Sequence, residues 1–239
     1  MLPRVLKQAD LADWVEALMQ ERRVAAPVLK ETAPNDGREL FSWEVVQEAS
    51  EVRLDYDVTV LGPKKFLWPS RQALVTYRLD GDPKPEAVIR HEPQVLFGVR
   101  PCDITAIATL DAAFAKDVPD PHYLARRSDT AIVGVDCGGP CHETSFCLDM
   151  GSLDPESGYD VMLTPLEGEY YVEVKTELGQ ALVEAGKMRQ ATNEDMAAHQ
   201  AFQEAKRGAF HLQLPFDVEY LPEILDRSYD SLVWEAIAR

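Results

Sequence analysis

Two runs, Val95-Leu-Phe-Gly-Val-Arg100 and Ala131-Ile-Val-Gly-Val-Asp136, constrain this chain more than any other feature. Each is short, apolar and rich in β-branched residues, the composition of a strand buried on both faces of a parallel sheet. Between them, Asp103 is placed to cap a helix with Ile107, Leu110 and Phe114 on one face, and Pro119 to Arg127 adds a further turn. Strand, helix, strand in that order is a βαβ unit. The fold class that follows is α/β, a mixed central sheet with a parallel βαβ unit, wrapped by N- and C-terminal helices.

The flanks fit that frame. Asp10 is placed to cap a helix carrying Leu11, Trp14, Val15 and Leu18 at i, i+3, i+4 and i+7, an amphipathic face that must pack on something. Runs of β type follow at Ala26 to Leu29, Leu40 to Val45 and Val58 to Leu61. The proline-bounded stretch Gly62-Pro-Lys-Lys-Phe-Leu-Trp-Pro69 reads as an exposed turn or extended loop. Val161 to Leu166 and Tyr170 to Lys175, joined by Glu167-Gly168, read as a hairpin. A helical region then covers about 177–239: Gly179 to Ala185, a helix capped by Thr192 and Asp195 with Ala198, Ala201, Phe202, Ala205 and Ala209 on one side, and two short helices to the end. With no repeat, low-complexity tract or flexible linker, residues 1–239 are expected to form a single α/β domain.

Composition narrows the partners. The chain has 239 residues, 24 Lys+Arg against 41 Asp+Glu and a formal charge of −17. A surface this acidic repels phosphate backbones and anionic headgroups, so nucleic acid and membrane surfaces are poor partners. No apolar run approaches a bilayer span, and the beginning of the chain lacks a secretory pattern, so the expected location is cytoplasmic. In that reducing setting the four cysteines are expected to be metal ligands, catalytic groups or buried thiols rather than disulfides.

Their positions matter most. Cys102 and Cys137 each lie just beyond the carboxyl end of a strand of the βαβ unit, the edge where open α/β sheets place their ligands. Cys141 and Cys147 share the loop of Cys137, so all four thiols can converge. Four thiolates suit a 4Fe-4S cluster, and Gly138-Gly139 gives the loop freedom to wrap one closely. The spacing C-x3-C-x5-C with a remote fourth cysteine is not that of a ferredoxin. Structural zinc, with His142 able to replace a sulfur, and redox-active thiols remain open readings.

The order of motifs then resembles a known family. Phe97-Gly-Val-Arg-Pro-Cys-Asp103, Tyr123-Leu-Ala-Arg-Arg127, Ile132-Val-Gly134, the Cys137 to Cys147 loop, Leu148-Asp-Met-Gly151, Gly158-Tyr-Asp160 and Val172-Glu-Val-Lys-Thr176 are similar to stretches of the beta subunits of soluble sulfhydrogenases and the A subunit of anaerobic sulfite reductase. Gly62-Pro-Lys-Lys-Phe66 extends the likeness over nearly the whole chain. The resemblance implies an iron-sulfur electron-transfer subunit holding one 4Fe-4S cluster through Cys102, Cys137, Cys141 and Cys147. Such a subunit works between a flavin/NAD(P) subunit and a terminal catalytic subunit. The family commonly ends this loop in Cys-Phe-Cys, where this chain has Ser145-Phe146-Cys147, and Cys141 stands in for the missing thiolate. Family members continue into a ferredoxin domain beyond the position of Arg239; either a separate ferredoxin-like subunit supplies its clusters, or this subunit contributes one cluster to a larger assembly. A non-redox scaffold with a structural zinc site is the alternative.

Among the other polar residues, Arg100 beside Cys102 either offsets cluster charge or makes an ordinary salt bridge. The pairs Lys64-Lys65 and Arg126-Arg127 read as anchors for a phosphate or an acidic partner, or as solvated charge. No G-x-G-x-x-G or Walker-type loop is present, so no motif argues for nucleotide binding. Trp234, with Leu232, Val233 and Ile237, is placed to dock a neighbour.

Overall fold

The computed structural model describes residues 2–33, 37–79 and 84–238. The chain runs β1 (Arg4–Lys7), α1 (Leu11–Met19), β2 (Arg23–Thr32), β3 (Glu39–Val45), a small hairpin of β4 (Val75–Thr76) and β5 (Glu86–Ala87), β6 (Gln94–Val99), α2 (Pro101–Ala115), α3 (Pro121–Ser128) and β7 (Thr130–Val135). It continues through β8 (Val161–Leu166), β9 (Glu169–Val174), α4 (Glu177–Glu184), β10 (Arg189–Gln190), α5 (Asn193–Gly208), α6 (Leu221–Ser228) and α7 (Val233–Ile237). Eight strands form one mixed sheet in the order β10-β1-β9-β8-β7-β6-β2-β3. The centre, β2, β6, β7 and β8, is parallel, and antiparallel strands flank it on both sides.

Side-chain alternation along the strands feeds two cores. Val95, Phe97, Val133 and Leu163 face α1 and α4, where Trp14, Val15, Leu18, Leu182 and Val183 pack on them. Leu96, Ile132 and Met162 face α2 and α3, meeting Ile104, Ile107 and Tyr123. Each such side chain contributes roughly 1.5–3 kcal/mol when withdrawn from water.

Gly98 breaks the alternation. Its φ of +90° coincides with a register shift between Phe97 and Val99 against β7, so Val99 turns to the α2 side although Phe97 faces α1. Only glycine fits, because a Cβ there would lie 2.6 Å from Leu54 Cδ2. The bulge re-aims the chain just before it enters α2.

Several expectations are corrected. Asp10 makes no side-chain cap, since a 3-10 turn, Gln8–Asp10, already leads into α1. Asp103 does not cap α2 either: Pro101 starts the helix two residues earlier and leaves Asp103 in its first turn. Asp120 caps α3, accepting from the backbone N–H of His122 and Tyr123. Val58 to Leu61 forms no strand, only a bridge from Thr59 to Phe41, and Val58, Val60 and Leu61 are exposed. Pro63–Phe66 forms the expected turn, wound as a 3-10 helix, but Pro63 and Leu67 are buried rather than exposed. In α5 the Thr192–Asp195 capping box is present, but Ala198, Ala201 and Ala205 face solvent. The inward side carries His199, Gln203 and Lys206 instead, because this helix docks by polar pairing. Helices α6 and α7 bury no residue.

Candidate functional site

The parallel pairing of β6 and β7 places the start of α2 and the loop after β7 side by side at the carboxyl edge of the sheet. Cys102 is the second residue of α2, and Cys137 lies two residues past β7. Residues 136–160 cross to β8 without a helix, and this loop carries Cys141 and Cys147. All four cysteines line one cavity of about 210 Å3, together with Tyr56, Arg100, Asp103, Gly139, Leu153 and Phe210. None is in a disulfide. Their loop is braced by its own turns: Ser145 N–H donates to His142 O at 2.9 Å and Ser152 N–H to Cys147 O at 3.1 Å.

The surroundings of Cys102, Cys137 and Cys147 favour the neutral thiol. Cys102 presents surface to the cavity, yet the atoms crowding it desolvate the thiol and, with Asp103 and the other cysteines, push its pKa up to about 12. Burial, then Asp136, pushes Cys137 up to about 11 against the opposing pull of Lys206 and Arg100. Burial also raises Cys147. Such thiols are poor nucleophiles at neutral pH, whereas metal coordination removes the proton directly.

Arg100 ties three segments together at this edge. Its Nη1 donates to Asp136 O at 2.7 Å, and its Nη2 donates to the carbonyls of Leu54 and Tyr56. The guanidinium also lies over the Tyr56 ring, 4.4 Å from its centroid. These partners are carbonyls and a π-face, so the expected ordinary salt bridge is not what holds it. Its Nε is buried and has no hydrogen-bond partner.

Behind Cys137 lies a charge network that sequence reasoning missed. Lys206, with 1% of its side chain exposed, donates to Asp136 at 2.8 Å and to Asp154 at 2.6 Å. Asp136 accepts further from Gln203 Nε2 at 2.7 Å and Thr164 Oγ1 at 3.1 Å. The chain neighbour of a cavity cysteine is thereby locked to β8 and α5. An amphipathic reading assigns a lysine among alanines to solvent, so only the pattern His199, Gln203, Lys206 at i, i+4 and i+7 hinted at a polar inward face. His142, by contrast, turns to its own loop: Nδ1 lies 2.8 Å from Thr144 Oγ1 and accepts from Thr144 N–H at 3.2 Å.

Fold and cavity together define an α/β protein with a four-cysteine site at the carboxyl edge of its parallel strands. In an alignment of 206 positions that covers 83% of its length, the chain is 33% identical to sulfhydrogenase 2 subunit beta of Pyrococcus furiosus. The chain is thus similar to a sulfhydrogenase beta subunit over most of its own length, in keeping with the order of its motifs. It spans 58% of that relative's length. No family model matches it. Among the described residues, no helix is long and apolar enough to cross a membrane.

Proposed function

We propose that residues 1–239 act as a single iron-sulfur domain that holds one 4Fe-4S cluster through Cys102, Cys137, Cys141 and Cys147. On this reading the chain is an electron-transfer subunit of a cytoplasmic multisubunit oxidoreductase. The observation that carries the proposal is the meeting of two distant cysteine-bearing segments around one cavity. Similarity to a sulfhydrogenase subunit supports a place in a hydrogenase-like assembly. The partners proposed are a flavin/NAD(P) subunit and a ferredoxin-like or catalytic subunit.

The donor set fits such a group. A single tetrahedral zinc, with Zn–S about 2.3 Å, draws four sulfurs to about 3.8 Å from one another and leaves no void. Here the four cysteines line a cavity of about 210 Å3, room for a group larger than one ion. When bound, the cluster supplies reversible one-electron transfer. The protein's own contribution is placement and charge. Arg100 sets a fixed positive charge at the cavity wall, with its buried Nε–H still free to donate. The Asp136–Lys206 pair anchors the first loop cysteine, and Leu153 and Phe210 limit water. Gly139 lets the loop approach closely, since a Cβ there would sit 3.2 Å from Ala209 Cβ.

Purification without oxygen tests this. The protein is expected to be brown, with about four iron and four sulfide per chain, and to bleach on reduction. Cys102→Ser is expected to abolish that colour. A colourless protein with one zinc, or four free thiols and no metal, would overturn the reading.

A further inference from the structure

A second cavity, of about 760 Å3, lies at the opposite, amino-terminal edge of the same parallel strands. Arg23 opens β2, Gln94 opens β6, and Arg126 stands in the last turn of α3 just before β7. In a chain of net charge −17, this cavity is lined by Arg23, Lys65, Arg71, Arg90 and Arg126, with Glu92 its one carboxylate. Glu92 pairs with Arg23, and His91, also in the lining, pairs with Asp129. Lys65, Arg71, Arg90 and Arg126 form no ion pair among the described residues. Lys65 acts at a distance on Glu44 and Arg126 on Asp120, yet the lining itself carries five cations against one carboxylate.

Two of these guanidinium groups are already fixed in place. Arg126 donates through Nε to Leu67 O and through Nη1 to Gln72 Oε1, each at 2.7 Å. Its Nη2 is buried without an acceptor. Arg23 Nη2 donates to Gln94 Oε1 at 2.6 Å, and Gln94 is held in turn by Thr130 Oγ1 at 2.7 Å, while Arg23 Nε is likewise buried without an acceptor. Two guanidinium groups held in fixed positions beside three further cations at one cavity suit an acceptor-rich ligand. The planar guanidinium fork matches phosphate oxygens in particular. Apolar lining from Val88, Ile89 and Pro69 gives the uncharged part of a ligand somewhere to lie, and the size suits a small molecule.

We propose that this cavity binds a phosphorylated small molecule of nucleotide size, its phosphates taken by Arg126, Arg90 and Arg71. The site shares no residue with the cysteine cavity and stands whether or not a cluster binds there. It explains why one member of each basic pair, Lys65 and Arg126, lines this cavity while Arg127 is spent on Asp111 at 2.9 Å. No nucleotide-binding motif announces it, because its cations come from four separate stretches of chain.

Titration calorimetry on the full chain tests the proposal with ADP, pyrophosphate and adenosine as probes. One ADP or pyrophosphate per chain is expected, with Kd of about 100 μM or tighter. Arg126→Gln and, at the exposed rim, Arg90→Gln are each expected to weaken binding about tenfold, equal to about 1.4 kcal/mol. Cys102→Ser is expected to leave it unchanged. Binding of pyrophosphate as tight as that of ADP still supports a phosphate site. Four results would overturn the proposal: no saturation by either phosphate probe, equal affinity in Arg90→Gln, adenosine binding as tightly as ADP, or a polyglutamate peptide that ADP cannot displace.

Discussion

Replacing Lys206 with Met isolates the contribution of the charge network behind Cys137. The side chain is 1% exposed and its ammonium is shared by Asp136, 5% exposed, and Asp154, 35% exposed. Removing one partner of a buried ion pair costs about 3–5 kcal/mol, because the other charge is left in a poor solvent. Asp136 would keep its bonds from Gln203 and Thr164, and Asp154 would keep Arg207 at 2.9 Å and its access to water. The loss should therefore fall near the low end, about 3 kcal/mol, or a drop in Tm of about 6–12 °C for a chain of this size. Urea denaturation followed by circular dichroism, at matched metal content, gives the figure directly. A double variant, Asp136→Asn with Lys206→Met, removes both charges and is expected to recover at least half of the loss. A single variant within 1 kcal/mol of the parent protein, or a double variant no more stable than the single, would refute this account of the network.

Two further outcomes follow from the packing around the sheet. His199 stacks on Tyr171 with ring centroids 4.3 Å apart, and burial lowers its pKa below the ordinary 6.5. The unfolded chain then takes up a proton before the folded one does, so its contribution to stability is full above pH 6.5 and is lost as pH falls below it. His199→Gln should flatten the stability profile between pH 7 and 5, and an unchanged slope would rule this histidine out as its source. At Gly179, in the first turn of α4, an added Cβ would lie 2.2 Å from Asp160 O. Alanine in a helix ordinarily gains about 1 kcal/mol over glycine, but here Gly179→Ala should destabilise by about 2–3 kcal/mol, and a gain measured by denaturant unfolding would show that the contact relaxes freely.

Much of the architecture was legible locally. The β6-α2-β7 unit, the β8-β9 hairpin and the buried face of α1 follow from hydrophobic periodicity, which records which side of an element meets the core. Placing Cys102 and Cys137 together required only the parallel βαβ rule, and the structure brings Cys141 and Cys147 to the same cavity. The short strands β1 and β10 carry too few residues to show a period, and the pairing of β1 with β9 and with β10 depends on partners far away in the chain. The Asp103 cap was misplaced because Pro101 can itself start a helix, a local rule that prevailed over the preference for an aspartate.

The sequence by itself determined the central β6-α2-β7 unit, the β8-β9 hairpin, the clustering of three cysteines in one loop, and the likeness to sulfhydrogenase beta subunits. Tertiary structure alone decided that Lys206 is an interior cation and that Arg100 bonds to carbonyls. It also drew five scattered basic side chains around a second cavity. Periodicity reports burial of apolar side chains, whereas the fate of a charge depends on which distant group happens to face it, and that is settled only when the chain has folded.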